Sequence, residues 1–155
     1  MHKLEITTKL NFVNTFFIGD EMIDKAIEIA VKAHTGQKDL GGDKYIFHPL
    51  RVMMKMKSME EKVVAILHDV IEDSSVDLYS MDFPRHVLLA LEAMTKNKEE
   101  QYKDYIKRVA QNSIAKKVKI ADLEDNMDIT RLFHLTEKDY KRRSMGLLDD
   151  VLTEY

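Results

Sequence analysis

Between Ser58 and Asp73 the chain carries its most apolar helical stretch, and four ionisable side chains stand at the end of it. Val63, Val64, Ile66, Leu67, Val70 and Ile71 leave little polar surface on that helix, so it is expected at the centre of the fold. His68-Asp69 and Glu72-Asp73 lie on the same run, with Glu72 one turn beyond His68 and Asp73 one turn beyond Asp69. An imidazole and three carboxylates are costly to bury without a counter-charge. A bound divalent cation is the simplest partner, and a mixed imidazole and carboxylate set suits zinc, manganese or iron better than calcium. The plain alternative is a His-Asp pair at the surface of a helix end, which any helical protein can carry.

The rest of the chain reads as helices around this one. Five glycines and two prolines in 155 residues are too few for a turn-rich sandwich or barrel. A hydrophobic fraction of 45% suffices for a packed core. The fold class expected is all-α, a single domain of about six or seven helices over 21–155. Residues 1–20 form an N-terminal extension. In it Leu4, Ile6, Leu10, Phe12 and Phe16 alternate loosely with polar residues, a pattern compatible with a short strand or hairpin.

Asp20 is a candidate N-cap for a helix over about 21–34, which Gly36 ends. Thr35 to Tyr45 is a glycine-rich, charged surface loop. Pro49 suits the first turn of a helix running to about Lys57, in which Met53, Met54 and Met56 fill gaps in the core. Ser58 with Glu61 three residues on forms a capping box for the apolar helix, which Asp73-Ser74-Ser75 breaks. Further helices are expected over Arg85–Met94, over Gln101–Ala110 with Tyr102 and Tyr105 on its packed side, from Ser113 toward Leu132, and from Thr136 to the end.

Several function classes are excluded by composition. With no cysteine there is no disulfide scaffold, thiolate zinc site or cysteine nucleophile. Lys and Arg number 24 against 27 Asp and Glu, a net charge of −3, so bulk positive charge does not hold this chain on nucleic acid. No apolar run reaches the roughly 18 residues of a membrane span. The first residues lack the layout of a signal peptide, and the expected setting is the cytoplasm.

Two further segments bear on the cation. His48 opens a helix beside the charged loop. Asp122 lies four residues before Asn126, so the two share a helix face, while Glu124 and Asp125 read as a solvated acidic stripe. His48, His68, Asp69 and Asp122 would together bring two imidazoles and two carboxylates from three helices, a credible metal cage in a bundle.

These segments, in this order, resemble the HD-domain metal-dependent phosphohydrolases. More narrowly, they resemble the hydrolase domain of the bifunctional Rel/Spo alarmone enzymes and the stand-alone small alarmone hydrolases. The matching segments are Ala30 to Lys38 (AVKAHTGQK), Tyr45 to Leu50 (YIFHPL), Leu67 to Asp73 (LHDVIED) and Val118 to Asp122 (VKIAD) with Asn126, within about 21–135. The resemblance implies that His48, His68, Asp69 and Asp122 bind one metal, commonly manganese. It implies that Glu72 and Asp73 handle the attacking water and that Asn126 lies by the nucleotide. His34 is matched as well and is expected to pack or to support the ligands. Lys38, Lys44, Tyr45, Asn126 and Arg131 are the residues expected to border the substrate.

The chain also departs from the family pattern. The family usually places two or more basic residues just after the Gln. Here Lys38 is followed by Asp39 and Leu40. After the last metal motif the family often has a basic residue, then Asn, then Arg, where this chain has Asp125, Asn126, Met127 and Asp128.

The function expected is therefore a phosphohydrolase acting on a nucleotide, with guanosine 3′,5′-bis(diphosphate) as the preferred substrate and pyrophosphate released from its 3′ position. The alternatives are a nucleotidase acting on (deoxy)nucleoside monophosphates, a non-catalytic nucleotide-binding module of the same fold, and a plain helical interaction protein. A homo-oligomer is left open.

Overall fold

The computed structural model describes residues 19–73 and 77–128, without the side chains of Glu72, Asp73 and Leu78. The expected N-terminal strand or hairpin, Arg131 and the helix from Thr136 lie outside the described residues.

The chain enters α1 (residues 19–33), so Gly19 and Asp20 are already helical and the boundary expected at 20 shifts. Gly36 adopts φ +83°, a left-handed conformation that costs glycine nothing, and turns the chain out of the helix. The loop that follows is a small, tightly bonded hairpin. Lys38 and Lys44 pair as an antiparallel bridge, and the Asp39 carboxylate accepts from the amides of Gly41 and Asp43 at 2.9 and 3.0 Å. Gly42 supplies its left-handed residue, φ +89°.

The next helix, α2 (Phe47–Met54), starts earlier and stops sooner than expected, and Pro49 is its third residue. Met53 and Met56 pack against the core, whereas Met54 is 78% exposed and fills no gap.

Helix α3 (Met59–Leu67) opens on the expected capping box. The Ser58 hydroxyl accepts from the Glu61 amide at 3.2 Å, and the Glu61 carboxylate accepts from the Ser58 amide at 3.2 Å. Val63, Val64, Ala65, Ile66 and Leu67 are all completely buried, which makes α3 the central element. It does not run unbroken to Asp73. A turn at His68-Asp69 separates it from α4 (Val70–Asp73). The His68 ring supplies the reason. Its Nδ1–H donates to the Ala65 carbonyl at 2.7 Å, and that carbonyl is the one an unbroken helix would offer to the Asp69 amide.

After a 3₁₀ turn (Leu78–Met81), α5 (Arg85–Met94) and α6 (Tyr102–Ala110) form a hairpin beside α3. Arg108 ties the two together. It pairs with Glu100 and donates to the carbonyls of Glu92, Ala93 and Thr95 around the end of α5. The Tyr105 hydroxyl reaches the Met94 carbonyl at 2.7 Å.

The last described helix, α7 (Ser113–Asn126), is capped by Asn112 and packs on α2, α3, α5 and α6. Its small residues Ala115 and Ala121 face the core and let it approach α3 closely. It ends at Asn126 rather than running toward Leu132: the Met127 amide still makes the helical bond to the Leu123 carbonyl at 2.9 Å, and the Asp128 amide closes a tighter turn onto the Asp125 carbonyl at 3.3 Å. The regular elements among the described residues are all helices, as expected of an all-α bundle, with no strand beyond the single bridge.

The Ser58 cap starts the central helix, so Ser58→Ala is expected to lower unfolding free energy by about 1 kcal/mol. Urea denaturation followed by circular dichroism measures it, and an unchanged midpoint would show that the cap does not contribute.

Candidate metal centre

Three elements bring the four candidate ligands to one point. α2 contributes His48 from its second position, the turn after α3 contributes His68 and Asp69, and α7 contributes Asp122. His48, His68 and Asp122 are buried, and Asp69 is partly so. His48 Nε2 lies 3.1 Å from Asp122 Oδ1 and 3.6 Å from Asp69 Oδ2. His68 Nε2 lies 3.2 Å from Asp69 Oδ2 and 3.6 Å from Asp122 Oδ1. The four atoms thus close a ring. Bonds of about 2.1 Å to a common ion would set neighbouring ligand atoms about 3.0 Å apart in an octahedron and about 3.4 Å apart in a tetrahedron. His48, His68 and Asp69 offer ligand atoms that all lie within 4.8 Å of one another, and Asp122 Oδ1 adjoins this group through the two imidazoles.

The hydrogen bonds outside the ring decide which imidazole atoms face inward. His68 gives its Nδ1 proton to the Ala65 carbonyl, and the buried Nε2 on the other side has no hydrogen-bond partner. His48 gives its Nδ1 proton to Asp125 Oδ2 at 2.7 Å. In both rings the neutral tautomer leaves a lone pair on Nε2, inside the ring. An orphaned buried nitrogen among carboxylates fits a divalent cation, and the all-nitrogen-and-oxygen donor set fits manganese, iron or zinc.

The carboxylates are held from outside in the same way. Asp69 Oδ2 accepts the Tyr45 hydroxyl at 2.7 Å. Asp122 accepts from Lys119 Nζ at 2.8 Å and from Asn126 Nδ2 at 2.6 Å. Burial alone pushes the Asp122 carboxyl up. The His48 and His68 rings against it, with the charges of His68 and Lys119, outweigh that and hold it well below the ordinary carboxylate range. Burial likewise works against the Lys119 charge, but the Asp122 carboxylate beside it keeps the ammonium above its ordinary value.

His68 is the most telling group. Burial disfavours its imidazolium, yet Asp69, Asp122 and the Ala65 carbonyl together raise its pKa to about 9. In the metal-free protein a proton sits where the carboxylates call for positive charge.

The remaining expected residues fall in different places. Tyr45 stands between His34 and His48, with ring centroids 4.9 and 5.9 Å away, and its hydroxyl belongs to Asp69. His34 is buried, with Nδ1 2.8 Å from Gln37 Oε1, as expected of a packing residue. Lys38 and Lys44 are exposed on the hairpin, and Asn126 is exposed apart from its bond to Asp122. Glu72 and Asp73 lie in α4, one turn past the ring in sequence, and their side chains lie outside the described residues, as does Arg131.

One expectation is overturned. Glu124 is exposed and pairs with Lys55, but Asp125 is not part of a solvated stripe. It is 5% exposed, and besides His48 it binds Arg51, whose Nε and Nη2 reach its two oxygens at 2.8 and 3.0 Å. The hydrogen bond and charge of Asp125 raise the pKa of the Arg51 guanidinium, with smaller contributions from Asp39 and Asp128. The signal was a spacing. Arg51 follows His48 by three residues and Asp125 follows Asp122 by three, so each shares a helix face with its ligand.

No family model matches the chain. Among curated proteins it is 28% identical over 134 residues, 79% of its length, to the guanosine-3′,5′-bis(diphosphate) 3′-pyrophosphohydrolase of Aquifex aeolicus. It is 29% identical over 144 residues, 88% of its length, to the bifunctional (p)ppGpp synthase/hydrolase SpoT of Escherichia coli. This chain is a relative of the Rel/Spo hydrolases. A third such relative, the pyrophosphohydrolase of Vibrio cholerae, is 29% identical over 134 residues and 83% of this chain. The chain spans about a fifth of the length of these Rel/Spo relatives, 19%, 20% and 18% in turn.

The raised pKa of His68 has a measurable consequence. A proton bound more tightly in the folded than in the unfolded protein stabilises the fold, fully below pH 6.5 and decreasingly as pH rises through about 9. Thermal melts in chelator are expected to fall between those values for wild type and to flatten in His68→Gln. An equally steep fall in His68→Gln would assign the dependence to another group.

Proposed function

We propose that the chain is a metal-dependent phosphohydrolase whose substrate is a nucleotide, and that His48, His68, Asp69 and Asp122 hold one divalent cation, manganese by preference. The observation that carries this reading is the closed ring of two inward-facing Nε2 atoms and two carboxylate oxygens with edges of 3.1–3.6 Å. When bound there, such an ion supplies a Lewis acid for a phosphoryl oxygen and lowers the pKa of water.

The chain's own residues do the rest. Lys119 and Asn126 hold Asp122 in place, and Tyr45 holds Asp69, so the ring is fixed before substrate arrives. Glu72 and Asp73, on the helix that continues from the ring, are proposed to orient the attacking water and take its proton. Lys38 and Lys44, exposed on the hairpin that leads into Tyr45, are proposed to attract the substrate phosphates, together with Arg131.

Guanosine 3′,5′-bis(diphosphate), cleaved to release the 3′-pyrophosphate, is the substrate favoured, because the relatives are named for that activity. Among the described residues no helix is long and apolar enough to cross a membrane, and a nucleotide substrate accords with a cytoplasmic setting. A second reading, a nucleoside monophosphate as substrate, is favoured by the departures from the basic pattern at Asp39, Asp125 and Asp128, which leave fewer free positive charges for a second pyrophosphate arm.

Incubating the protein in Mn²⁺ with the bis(diphosphate), with GTP and with nucleoside monophosphates separates the two readings. Asp69→Ala is expected to lower turnover at least 10²-fold on whichever substrate is cleaved. Wild-type protein that cleaves none of them would overturn the hydrolase assignment, and equal turnover by Asp69→Ala would overturn the site.

A further inference from the structure

The two imidazoles of the centre are oriented by different means. His68 is fixed by a main-chain carbonyl of its own helix, whereas His48 is fixed by a side chain from a distant helix, Asp125 of α7. Asp125 is buried to 5% exposure, and Arg51 grips both of its oxygens. Held in this way, Asp125 Oδ2 also accepts from His48 Nδ1 at 2.7 Å.

The geometry points to Asp125 and Arg51 as a pair of positioning residues for His48. The carboxylate takes the Nδ1 proton, selects the tautomer with its lone pair on Nε2, and turns that atom toward Asp69 and Asp122. Arg51 in turn sets the plane of the carboxylate. Without the pair the ring can rotate about its χ2 or hold its proton on Nε2, and either change removes one donor from the centre. Outer partners of this kind typically alter metal affinity 10- to 100-fold.

The outer end of the pair is accessible. The Arg51 side chain is 35% exposed and lines a groove with Phe47, Leu50, Met54, Glu124 and Asp128, so the position of His48 depends on a residue at the protein surface. A purely structural role is the competing account, since the pair also ties α2 to α7.

This inference rests on the reading that His48 is a metal ligand, and the experiment separates the two. Mn²⁺ affinity is measured by electron paramagnetic resonance for wild type, His48→Ala, Asp125→Asn, Asp125→Ala and the double variant Asp125→Leu/Arg51→Met. Chemical denaturation in chelator follows stability in parallel. The double variant replaces the ion pair by apolar groups and is expected to fold with stability close to wild type. Its Mn²⁺ affinity is nonetheless expected to fall 10- to 100-fold, as in Asp125→Ala. Asp125→Asn keeps an acceptor for Nδ1 and is expected to lose less than Asp125→Ala. If the double variant binds Mn²⁺ within twofold of wild type while His48→Ala does not bind, the positioning role is wrong and the metal site stands. If His48→Ala binds as wild type does, the site itself is wrong.

Discussion

Asp122 carries a negative charge inside the protein, and the joint between α2, the turn after α3, and α7 is organised by the need to neutralise it. A buried carboxylate without partners costs several kcal/mol, enough to consume much of the stability of a small domain. Helix α7 brings part of the answer itself, with Lys119 one turn before Asp122 and Asn126 one turn after it. The rest comes from across the joint, where His48 and His68 present their Nε2 atoms. Asp69 adds a second carboxylate to the same space, and the Tyr45 hydroxyl is its support. The sum is still short of positive charge, which is why His68 holds its proton so strongly when no ion is bound. A divalent cation held by these residues would satisfy the same deficit with both imidazoles neutral.

How much of this could be read beforehand depended on whether a feature was local. The Ser58–Glu61 capping box and the helix over Arg85–Met94 follow from neighbouring residues, and both are found where expected. The convergence of His48, His68, Asp69 and Asp122 was legible because three motifs supplied chemistry that no plain core uses. The break at His68 was not legible, since it depends on a ring nitrogen competing for one carbonyl. Asp125 was misread because acidic residues at a helix end are usually solvated. Its partner, Arg51, lies 74 positions away, and only the packing of α2 on α7 brings the two together.

That misreading changes the view of the flank of the site. Asp39, Asp125 and Asp128 occupy or adjoin places where the Rel/Spo pattern favours basic residues, and all three act on Arg51 in the fold. An arginine on α2 faces Asp39 of the hairpin, Asp125 of α7 and Asp128 just beyond it.

The central claim is that one ion lies within the ring of buried ligand atoms. Crystals grown with Mn²⁺ and measured at the manganese absorption edge test it directly. The account predicts a single strong anomalous peak within about 2.2 Å of His48 Nε2, His68 Nε2, Asp69 Oδ2 and Asp122 Oδ1. No anomalous peak in the ring, with the four side chains bonded only to one another or to water, would contradict it.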